Sequence, residues 1–273
     1  VAVLDTGIFL HRDFDSRVTG FADMVNGKNF AYDDCGHGTH ICGIIGGSGR
    51  MSGGRYSGIA PGCDLVMVKV LDRKGNGYSS DVLAGISWIL ERKEQLGIRI
   101  LNISVGACSK RGMSENSALV KGVNRAWDAG LVVVVAAGNN GPRTMRITTA
   151  GISRKVITVG CSDDDREVLV GGNRMVDYSG RGPTAACICK PDLVAPGCSV
   201  VSCSSRADKY TIKSGTSMST PIVSGAVALL LERFPDMSNK DVKLRLRESS
   251  VDIGLPRNQQ GWGLLDVGKM LER

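Results

Sequence analysis

Three short segments of the sequence place a chemically reactive side chain beside glycine or another small residue. Asp5 follows a short apolar run and precedes a Thr-Gly pair, and His37, one of three histidines in the chain, stands between two glycines. Ser217 lies among small polar residues directly before an apolar stretch with helical character. Together these groups could act as nucleophile, general base and orienting carboxylate, the parts that acyl transfer through a serine requires.

Each segment also has an ordinary structural explanation. Asp5 could cap a turn after a strand, and Thr216 or Ser217 could be the N-cap of the following helix. His37 and His40 are spaced so that they could share a metal ion on a helix, but no acidic third ligand stands in helical register with them. The acyl-transfer interpretation therefore depends on the three segments meeting in space.

Two further features would serve the same chemistry. A serine at the start of a helix has backbone N–H groups and the helix dipole directed at a developing anion. Asn139 ends an apolar strand within the segment 136–141, where its side-chain amide could donate a hydrogen bond to that anion.

Short apolar runs alternate with longer stretches of helical periodicity, which predicts an α/β fold with a mostly parallel sheet covered by helices on both faces. Ser238 followed by Asp241 is typical of a helix start. We find no linker, repeat or low-complexity tract and predict a single domain, 1–273. The predicted strands are 1–4, 65–71, 100–103, 131–136 and 156–159, and the predicted helices are 80–96, 115–129 and 217–233.

The composition is that of an ordinary globular chain, with 42% hydrophobic residues, 22% charged residues and a net charge of +7. The basic residues are scattered and are not interleaved with aromatics, which argues against nucleic-acid binding. The longest uncharged stretch, 214–231, contains Ser, Thr, Pro and Gly and is not a lipid-facing run. We therefore expect a monomer without a nucleic-acid or membrane partner.

An odd number of cysteines, nine, excludes complete disulfide pairing within one chain. They lie in apolar or glycine-rich segments, which predicts free thiols and a protein of the reducing cytoplasm. A secreted protein is the alternative if a signal peptide precedes Val1. The cysteines are Cys35, Cys42, Cys63, Cys108, Cys161, Cys187, Cys189, Cys198 and Cys203.

Five sequence blocks resemble the signature segments of the subtilisin-like serine proteases, the subtilases, in the chain order Asp, His, Ser. The resemblance spans nearly the whole chain, and the blocks at 21–28, 179–184 and 190–197 are similar to the bacterial AprX-like group. The five blocks are VAVLDTG at 1–7, GHGTHICG at 36–43, NISVG at 102–106, AAGNNG at 136–141 and SGTSMSTP at 214–221.

The resemblance implies a serine endopeptidase that hydrolyses peptide bonds of proteins through an acyl-enzyme, built on a seven-stranded, mostly parallel sheet. It assigns Asp5, His37 and Ser217 as the triad, with Asn139 and the Ser217 N–H forming the oxyanion hole. It also implies protein or peptide substrates and a propeptide upstream of this sequence, which could itself be a partner. The expected substrate-binding residues are Ser104, Val105 and Gly106 on one wall of the specificity pocket and Ala136, Ala137 and Gly138 on the other.

Both walls of this pocket consist of small, uncharged residues. We therefore expect an open, apolar pocket and a preference for apolar or aromatic residues before the scissile bond.

Secreted subtilases carry an asparagine-rich calcium loop after the histidine helix, but residues 46–54 contain no carboxylate or amide side chain. Calcium prefers several such oxygens, so we expect no calcium site there and no required metal or other cofactor. Asp13 resembles a ligand of that site but lacks its partners. The acidic run 163–165 is expected on a solvated turn.

Two other functions are alternatives to peptide hydrolysis. A subtilase fold without activity, used for binding, would be expected to lack a member of the triad, whereas all three are in place. A nucleotide-binding protein would need G-x-G-x-x-G after a strand. Gly47 and Gly49 begin such a pattern, but Ser52 occupies its last position and the segment follows a predicted helix.

Overall fold

A seven-stranded sheet forms the centre of the protein in the computed structural model, which describes residues 1–106 and 115–272. The strands of the described residues are, in chain order, β1 (Ala2–Asp5), β2 (Val18–Asp23), β3 (Leu65–Lys69), β4 (Ile100–Ile103), β5 (Val132–Ala136), β6 (Ile157–Cys161), β7 (Val168–Val170), β8 (Asn173–Met175), β9 (Leu193–Ala195), β10 (Val200–Cys203) and β11 (Tyr210–Lys213). The sheet has the order β2-β3-β1-β4-β5-β6-β9, and all neighbouring strands are parallel. The pairs β7–β8 and β10–β11 form separate antiparallel hairpins.

Helices cover both faces of the sheet, as predicted. The α-helices of the described residues are α1 (His37–Gly46), α2 (Ser79–Arg92), α3 (Ala118–Asp128), α4 (Thr216–Arg233), α5 (Asn239–Ser249), α6 (Arg257–Gln260) and α7 (Val267–Leu271). Val3 packs in one apolar cluster with Ile41 of α1, whereas Leu4 packs in another with Ile86 of α2. Because successive side chains of a strand point to opposite faces, α1 and α2 lie on opposite sides of β1. None of these helices is long and apolar enough to cross a membrane.

The central strands β1, β3, β4, β5 and β6 are buried at every position and mostly apolar, since a parallel sheet with both faces covered offers no solvated side. The five residues of β5, four of them valine, are at most 2% exposed. β-branched valine suits an extended strand because its side chain packs well on the pleated surface. This rigid layer positions the loops at its carboxyl edge.

The predicted α/β fold is confirmed, and most predicted elements fall within a few residues of their observed limits. The predicted strand 100–103 coincides with β4, and the predicted helix 217–233 begins one residue earlier as α4. The predicted helix 80–96 ends four residues earlier as α2, at Arg92. Ser238 and Asp241 form the predicted N-terminal cap of α5, in which each side chain accepts the backbone N–H of the other.

Two strands of the sheet were not located from the sequence. In β2, which lies at one edge, no residue is fully buried, so its sequence lacks the apolar run that marks the central strands. At the other edge, β9 contains only three residues, which is too short for a periodicity to be visible.

The expectation that the acidic run lies on a solvated turn is wrong for two of its three residues. Asp164 is 3% exposed and accepts the Ser179 N–H at 2.7 Å. Asp163 accepts the Gly197 N–H, also at 2.7 Å, and only Asp165 is exposed. The run is held inward because its carboxylates satisfy backbone donors of neighbouring loops, which a count of charges in the sequence cannot reveal.

Asp13 and the loop after α1 are joined by hydrogen bonds. The Asp13 carboxylate accepts the Met51 N–H at 2.9 Å. The guanidinium of Arg17 donates to the carbonyl oxygens of Asp13, Gly46 and Cys63 at 2.5, 2.6 and 3.1 Å. The guanidinium of Arg17 therefore satisfies three carbonyl oxygens close to the loop 46–54, where secreted subtilases are expected to bind calcium. The expectation that Asp13 lacks the other ligands of a calcium site stays a prediction, because these bonds join Asp13 to hydrogen-bond donors and not to further calcium ligands.

All eight cysteines in the described part of the chain are free thiols, and Cys108 lies outside it. Cys42, Cys161 and Cys203 are buried, whereas Cys187 and Cys189 are exposed. The exposed pair offers a matched reference for experiments on the buried thiols.

Candidate active site

The predicted site residues lie at the carboxyl edge of the sheet. Asp5 ends β1, Ser104 directly follows β4, and Asn139 lies three residues beyond the end of β5. In the sheet, β1 lies between β3 and β4. Strands are added on the β3 side of β1 first and then on its β4 side, so the strand order reverses at β1. In open parallel sheets, ligands bind outside the strand ends where the order reverses in this way.

Asp5 and His37 are in direct contact. The Nδ1 atom of His37 lies 2.8 Å from Oδ1 and 2.9 Å from Oδ2 of Asp5. Asp5 is fully buried, and 22% of the His37 side chain is exposed. Burial lowers the pKa of His37, but the charge of Asp5 and its hydrogen bond raise it by more, so the pKa lies above its usual value. The contact favours the tautomer in which Nδ1 carries the proton and donates it in a hydrogen bond to the carboxylate. Nε2 is then free to accept another proton.

Asp33 and Thr6 fix the position of His37 relative to Asp5. The Thr6 hydroxyl donates to Asp33 at 2.9 Å and accepts the Gly38 N–H at 2.9 Å. Asp33 also accepts the Gly36 N–H at 2.7 Å, at the start of α1. A carboxylate is favoured at a helix N-terminus, where backbone donors are unpaired.

Gly38 allows α1 to approach β1. A Cβ atom at this position would lie 2.2 Å from the Gly7 carbonyl oxygen and 3.2 Å from the Asp5 Cβ. No larger residue fits there without displacing the strand, so the glycine after His37 allows this close approach.

Ser217 lies at the start of α4, and its hydroxyl donates to the Ser104 carbonyl at 2.7 Å. Ser217, His37 and Asn139 line one cavity of about 570 Å³. The structure thus brings the three segments together. In this conformation the Ser217 hydroxyl is directed at Ser104, not at His37.

The side-chain amide of Asn139 has a defined orientation. Its Oδ1 atom accepts the Thr216 N–H at 2.9 Å and the Thr216 hydroxyl at 3.0 Å. Because a backbone N–H can only donate, the oxygen must face Thr216, and the NH₂ group is turned away from it. The Thr216 hydroxyl also accepts the Gly138 N–H at 3.1 Å, which links Asn139 to the preceding strand end.

The methyl group of Thr148 lies between the two predicted walls of the specificity pocket. A Cβ on Gly106 would lie 2.2 Å from this methyl, and one on Gly138 would lie 2.7 Å from it. The Thr148 hydroxyl donates to the Ala136 carbonyl at 2.7 Å, which fixes the rotamer. The pocket is therefore less open than the small residues 104–106 and 136–138 suggested.

His40 does not share a ligand position with His37. Its Nε2 atom contacts the carbonyl oxygens of Val200 and Thr211 at 3.1 and 3.2 Å, while Nδ1 has no partner among the described residues. Burial lowers the pKa of His40 to about 3, so the ring is neutral at ordinary pH. The two histidines thus face different partners, and the metal-pair explanation is not supported.

Acid should destabilise the protein through His40. The folded chain keeps this ring neutral down to about pH 3, whereas the unfolded chain protonates it near pH 6.5. Below that pH the unfolded state binds the additional proton, so the free energy of unfolding decreases, by about 2 kcal/mol at pH 5 from this group. Denaturant unfolding gives the free energy of unfolding at pH 7 and at pH 5. In His40→Gln, whose amide can still donate to Val200 or Thr211, we expect the difference between these two free energies to be smaller by this amount. Equal pH dependence in both proteins would contradict the assignment.

Several residues that shape the site were not predicted. Asp33 stands four residues before His37, where an acid ahead of a helix start could have been recognised as its anchor. Thr216 was considered only as a possible N-cap. Thr148 lies in an irregular segment without periodicity, so no pattern in the sequence marks its contact with Gly106.

Comparisons with known proteins show which family the sequence matches. The sequence profile of the subtilase family, peptidase S8, matches residues 1–263. The chain is 42% identical over 267 residues to serine protease AprX of Bacillus subtilis (strain 168), which covers 92% of this chain. It spans 60% of the length of that relative. It is also 34% identical to subtilisin DY of Bacillus licheniformis over 98% of this chain and 88% of that protein.

Solved structures show the same fold. A structure described as S41 psychrophilic protease superimposes with a TM-score of 0.81 at 31% identity, over 97% of this chain and 90% of the other. A structure described as sphericase gives a TM-score of 0.80 at 30% identity, over 97% and 91% of the two chains.

Proposed function

This chain belongs to the subtilase family, and from that premise we propose that it is a serine endopeptidase using Asp5, His37 and Ser217 as its triad. The observation that carries the proposal is the buried Asp5 in contact with His37, at a cavity that Ser217 and Asn139 also line. Proteins or peptides are the substrates, because the relatives are proteases.

In the proposed reaction, the Ser217 oxygen attacks the scissile carbonyl and its proton passes to Nε2 of His37. The resulting imidazolium is stabilised by Asp5, and it donates the proton to the leaving amine as the peptide bond breaks. Water then attacks the acyl-enzyme by the same route and releases the acid and free Ser217. The Ser217 hydroxyl must first leave the Ser104 carbonyl, to which it donates, so that its proton can pass to His37.

The oxyanion would be bound by the NH₂ group of Asn139 and the backbone N–H of Ser217. Thr216 supports this role because it fixes the orientation of the Asn139 amide. Its N–H and hydroxyl donate to the amide oxygen and so direct the NH₂ group away from Thr216. Preorganised donors of this kind contribute in the transition state more than in the ground state.

Active-site labelling tests the proposed function directly. A fluorophosphonate should attach covalently to Ser217, and peptide mapping should place the label on that residue. The matched variant His37→Ala should lose the labelling because the serine is no longer activated. An unlabelled, folded wild-type protein without proteolytic activity would favour the binding-only alternative.

Asn139→Ala should lower kcat about 10²–10³-fold and leave KM nearly unchanged, because the lost hydrogen bond forms in the transition state. Steady-state kinetics on a chromogenic peptide measures both constants. Asn140→Ala, at the adjacent position, serves as the control. A raised KM with unchanged kcat in Asn139→Ala would instead assign this residue to substrate binding.

Thr148→Gly should change the preference for the residue before the scissile bond. Removing the methyl between Gly106 and Gly138 makes room for larger side chains, and we expect kcat/KM for phenylalanine relative to alanine to rise about tenfold or more. Thr148→Ser removes only the methyl and should show part of the effect. Thr148→Val keeps a methyl but loses the hydroxyl and should not show it. Identical preferences in Thr148→Gly and the wild type would refute a limiting role of this side chain.

We also propose that no calcium or other cofactor is required near α1. The Arg17 guanidinium already donates hydrogen bonds to three carbonyl oxygens of this region, and the Asp13 carboxylate accepts a backbone N–H of the loop. A single monomeric catalytic domain in a reducing compartment is consistent with the eight free thiols. A propeptide would be a further partner.

A further inference from the structure

A cluster of two thiols, a carboxylate and a phenol lies under the hairpin β7–β8, apart from the triad. Cys161 ends β6, and Cys198 lies between β9 and β10. The Cys161 sulfur is 3.1 Å from Oδ1 of Asp163 and 3.2 Å from the Tyr178 hydroxyl. The Cys198 sulfur is 3.1 Å from the same hydroxyl and 2.6 Å from the Asp163 carbonyl oxygen. We call Cys161, Asp163, Tyr178 and Cys198 the thiol cluster.

The thiol cluster has more close contacts between polar atoms than it has hydrogen atoms that could form hydrogen bonds across them. With the Asp163 carboxylate ionised, its four contacts involve two S–H groups and one O–H group, so at least one contact joins two heteroatoms with no hydrogen between them. Such an arrangement is unfavourable for a cluster that holds no cation. A cation that replaces the thiol protons would attract all of these electron pairs at once.

The carboxylate of the thiol cluster is held in place by other groups. Oδ1 of Asp163 accepts the N–H groups of Gly197 and Cys198 at 2.7 and 3.2 Å. Hydrogen bonds of this kind orient the ligands of metal sites and tune their affinity. The Sγ atoms of both cysteines and a carboxylate oxygen of Asp163 all lie within 4.8 Å of one another.

An unpartnered hydroxyl faces the same region. Ser219 is fully buried, and its Oγ atom has no hydrogen-bond partner among the described residues. A Cβ built on Gly197 would lie 2.4 Å from this oxygen and 2.8 Å from the Cys161 sulfur, which places the hydroxyl beside the thiol cluster. An orphaned buried polar group is the feature expected next to a site that accommodates a ligand or water.

We propose that Cys161, Cys198 and Asp163 bind a thiophilic divalent cation such as Zn²⁺ or Cd²⁺. Two thiolates and one carboxylate oxygen form a donor set that zinc accepts, whereas the sulfurs disfavour calcium and magnesium. Binding releases the two thiol protons to solvent. Tyr178 or a water molecule completes the coordination. Cys198 and Asp163 are partly exposed, which gives the ion a path of entry.

A second group of possible ligands, His11, Asp13 and Cys203, provides an internal comparison. All three are buried. Nδ1 of His11 accepts the Asp13 N–H at 3.1 Å and Nε2 contacts the Lys209 carbonyl, while the Asp13 carboxylate accepts the Tyr210 hydroxyl. Unlike the thiol cluster, this group has no exposed member that would give an ion a path of entry, so it is not expected to take one up.

The bound cation would connect two parts of the fold. It would tie the end of β6 to the turn after β9, where the Gly197 carbonyl accepts the Gly215 N–H at 2.9 Å, two residues before Ser217. Cys161 and Tyr178 also pack against Val170 of the hairpin, which lines the active-site cavity. We therefore expect the ion to raise the melting temperature of the chain.

Cadmium titration of reduced, metal-free protein tests the proposal, in the Ser217→Ala background so that self-cleavage does not interfere. The charge-transfer absorbance of cadmium thiolate and calorimetry should show one high-affinity equivalent. Cys161→Ser and Cys198→Ser should each weaken this binding more than about tenfold. Cys187→Ser, at an exposed thiol, and Cys203→Ser, in the second group, should leave it unchanged.

A measurement without variants keeps the test independent of their folding. Zn²⁺ should protect Cys161 and Cys198 of the Ser217→Ala protein from alkylation, as measured by mass spectrometry, while Cys187 and Cys189 react at the same rate with and without the ion. No cadmium binding, binding that persists in both cysteine variants, or equal alkylation rates would overturn the proposal. A Cys161–Cys198 disulfide formed in air by protein that binds no cation would replace it with a redox pair.

Discussion

Ser217→Ala should abolish proteolysis while the protein remains folded. Removing the nucleophile of a serine protease typically lowers kcat about 10⁶-fold, and the remaining rate reflects oxyanion stabilisation and binding alone. The variant loses one hydrogen bond, to the Ser104 carbonyl, which corresponds to about 1 kcal/mol of stability. Hydrolysis of casein or a chromogenic peptide measures the loss, and circular dichroism with thermal melting checks the fold.

Ser219→Ala is the matched control for this prediction. Ser219 lies two residues further along α4, is buried, and its hydroxyl has no partner in the described structure. Its removal should therefore leave kcat close to that of the wild type. Full activity in Ser217→Ala, or an equal loss in both variants, would exclude Ser217 as the nucleophile.

Asp5→Asn should lower kcat about 10⁴-fold at neutral pH, the second largest effect expected. The Thr6 N–H donates to Oδ1 of Asp5 at 2.7 Å, so the remaining oxygen of the amide should stay at that position. The new NH₂ group then takes the place of Oδ2, 2.9 Å from Nδ1 of His37. It would donate to Nδ1 and favour the tautomer with the proton on Nε2, which cannot accept the proton of Ser217.

The pH profile distinguishes this explanation from a loss of structure. In the wild type the pKa of His37 is raised because the charge of Asp5 outweighs the effect of burial. The base must be neutral, so kcat/KM should rise with pH through this raised pKa, and in Asp5→Asn the inflection should move to lower pH. Asp15→Asn, at an exposed carboxylate, should change neither the rate nor the profile. An unchanged inflection in Asp5→Asn would contradict the role of Asp5.

The residues in strong local contexts could be predicted from the sequence. Asp5, His37 and Ser217 each stand next to glycine or at an element boundary, and the apolar runs around them gave the order of strands and helices. The two glycines that flank His37 indicated a place where the backbone can bend, and at Gly38 only glycine leaves room for the Gly7 carbonyl. These features depend on residues that are adjacent in the sequence, so the pattern of residue types along the chain can indicate them.

Features that depend on distant parts of the chain were not accessible in this way. Thr148 limits the specificity pocket through contacts with Gly106 and Gly138, and no periodicity marks it. Cys161 and Cys198 meet only because β6 pairs with β9 at the edge of the sheet, a strand of three residues. The direction of the Ser217 hydroxyl is a choice among staggered rotamers, which the sequence does not encode.

The wide separation of Asp5 and Ser217 along the chain has a consequence for protein synthesis. About 210 residues lie between them, and α4, which carries Ser217, packs against β4, β5, β6 and β9. At roughly 5–20 residues per second, a ribosome needs about 10–40 seconds to proceed from one to the other. For most of that interval the nascent chain contains Asp5 and His37 but lacks the proposed nucleophile. With Ser217 in that role, we expect no cleavage of neighbouring proteins until α4 has been made and has docked on the sheet.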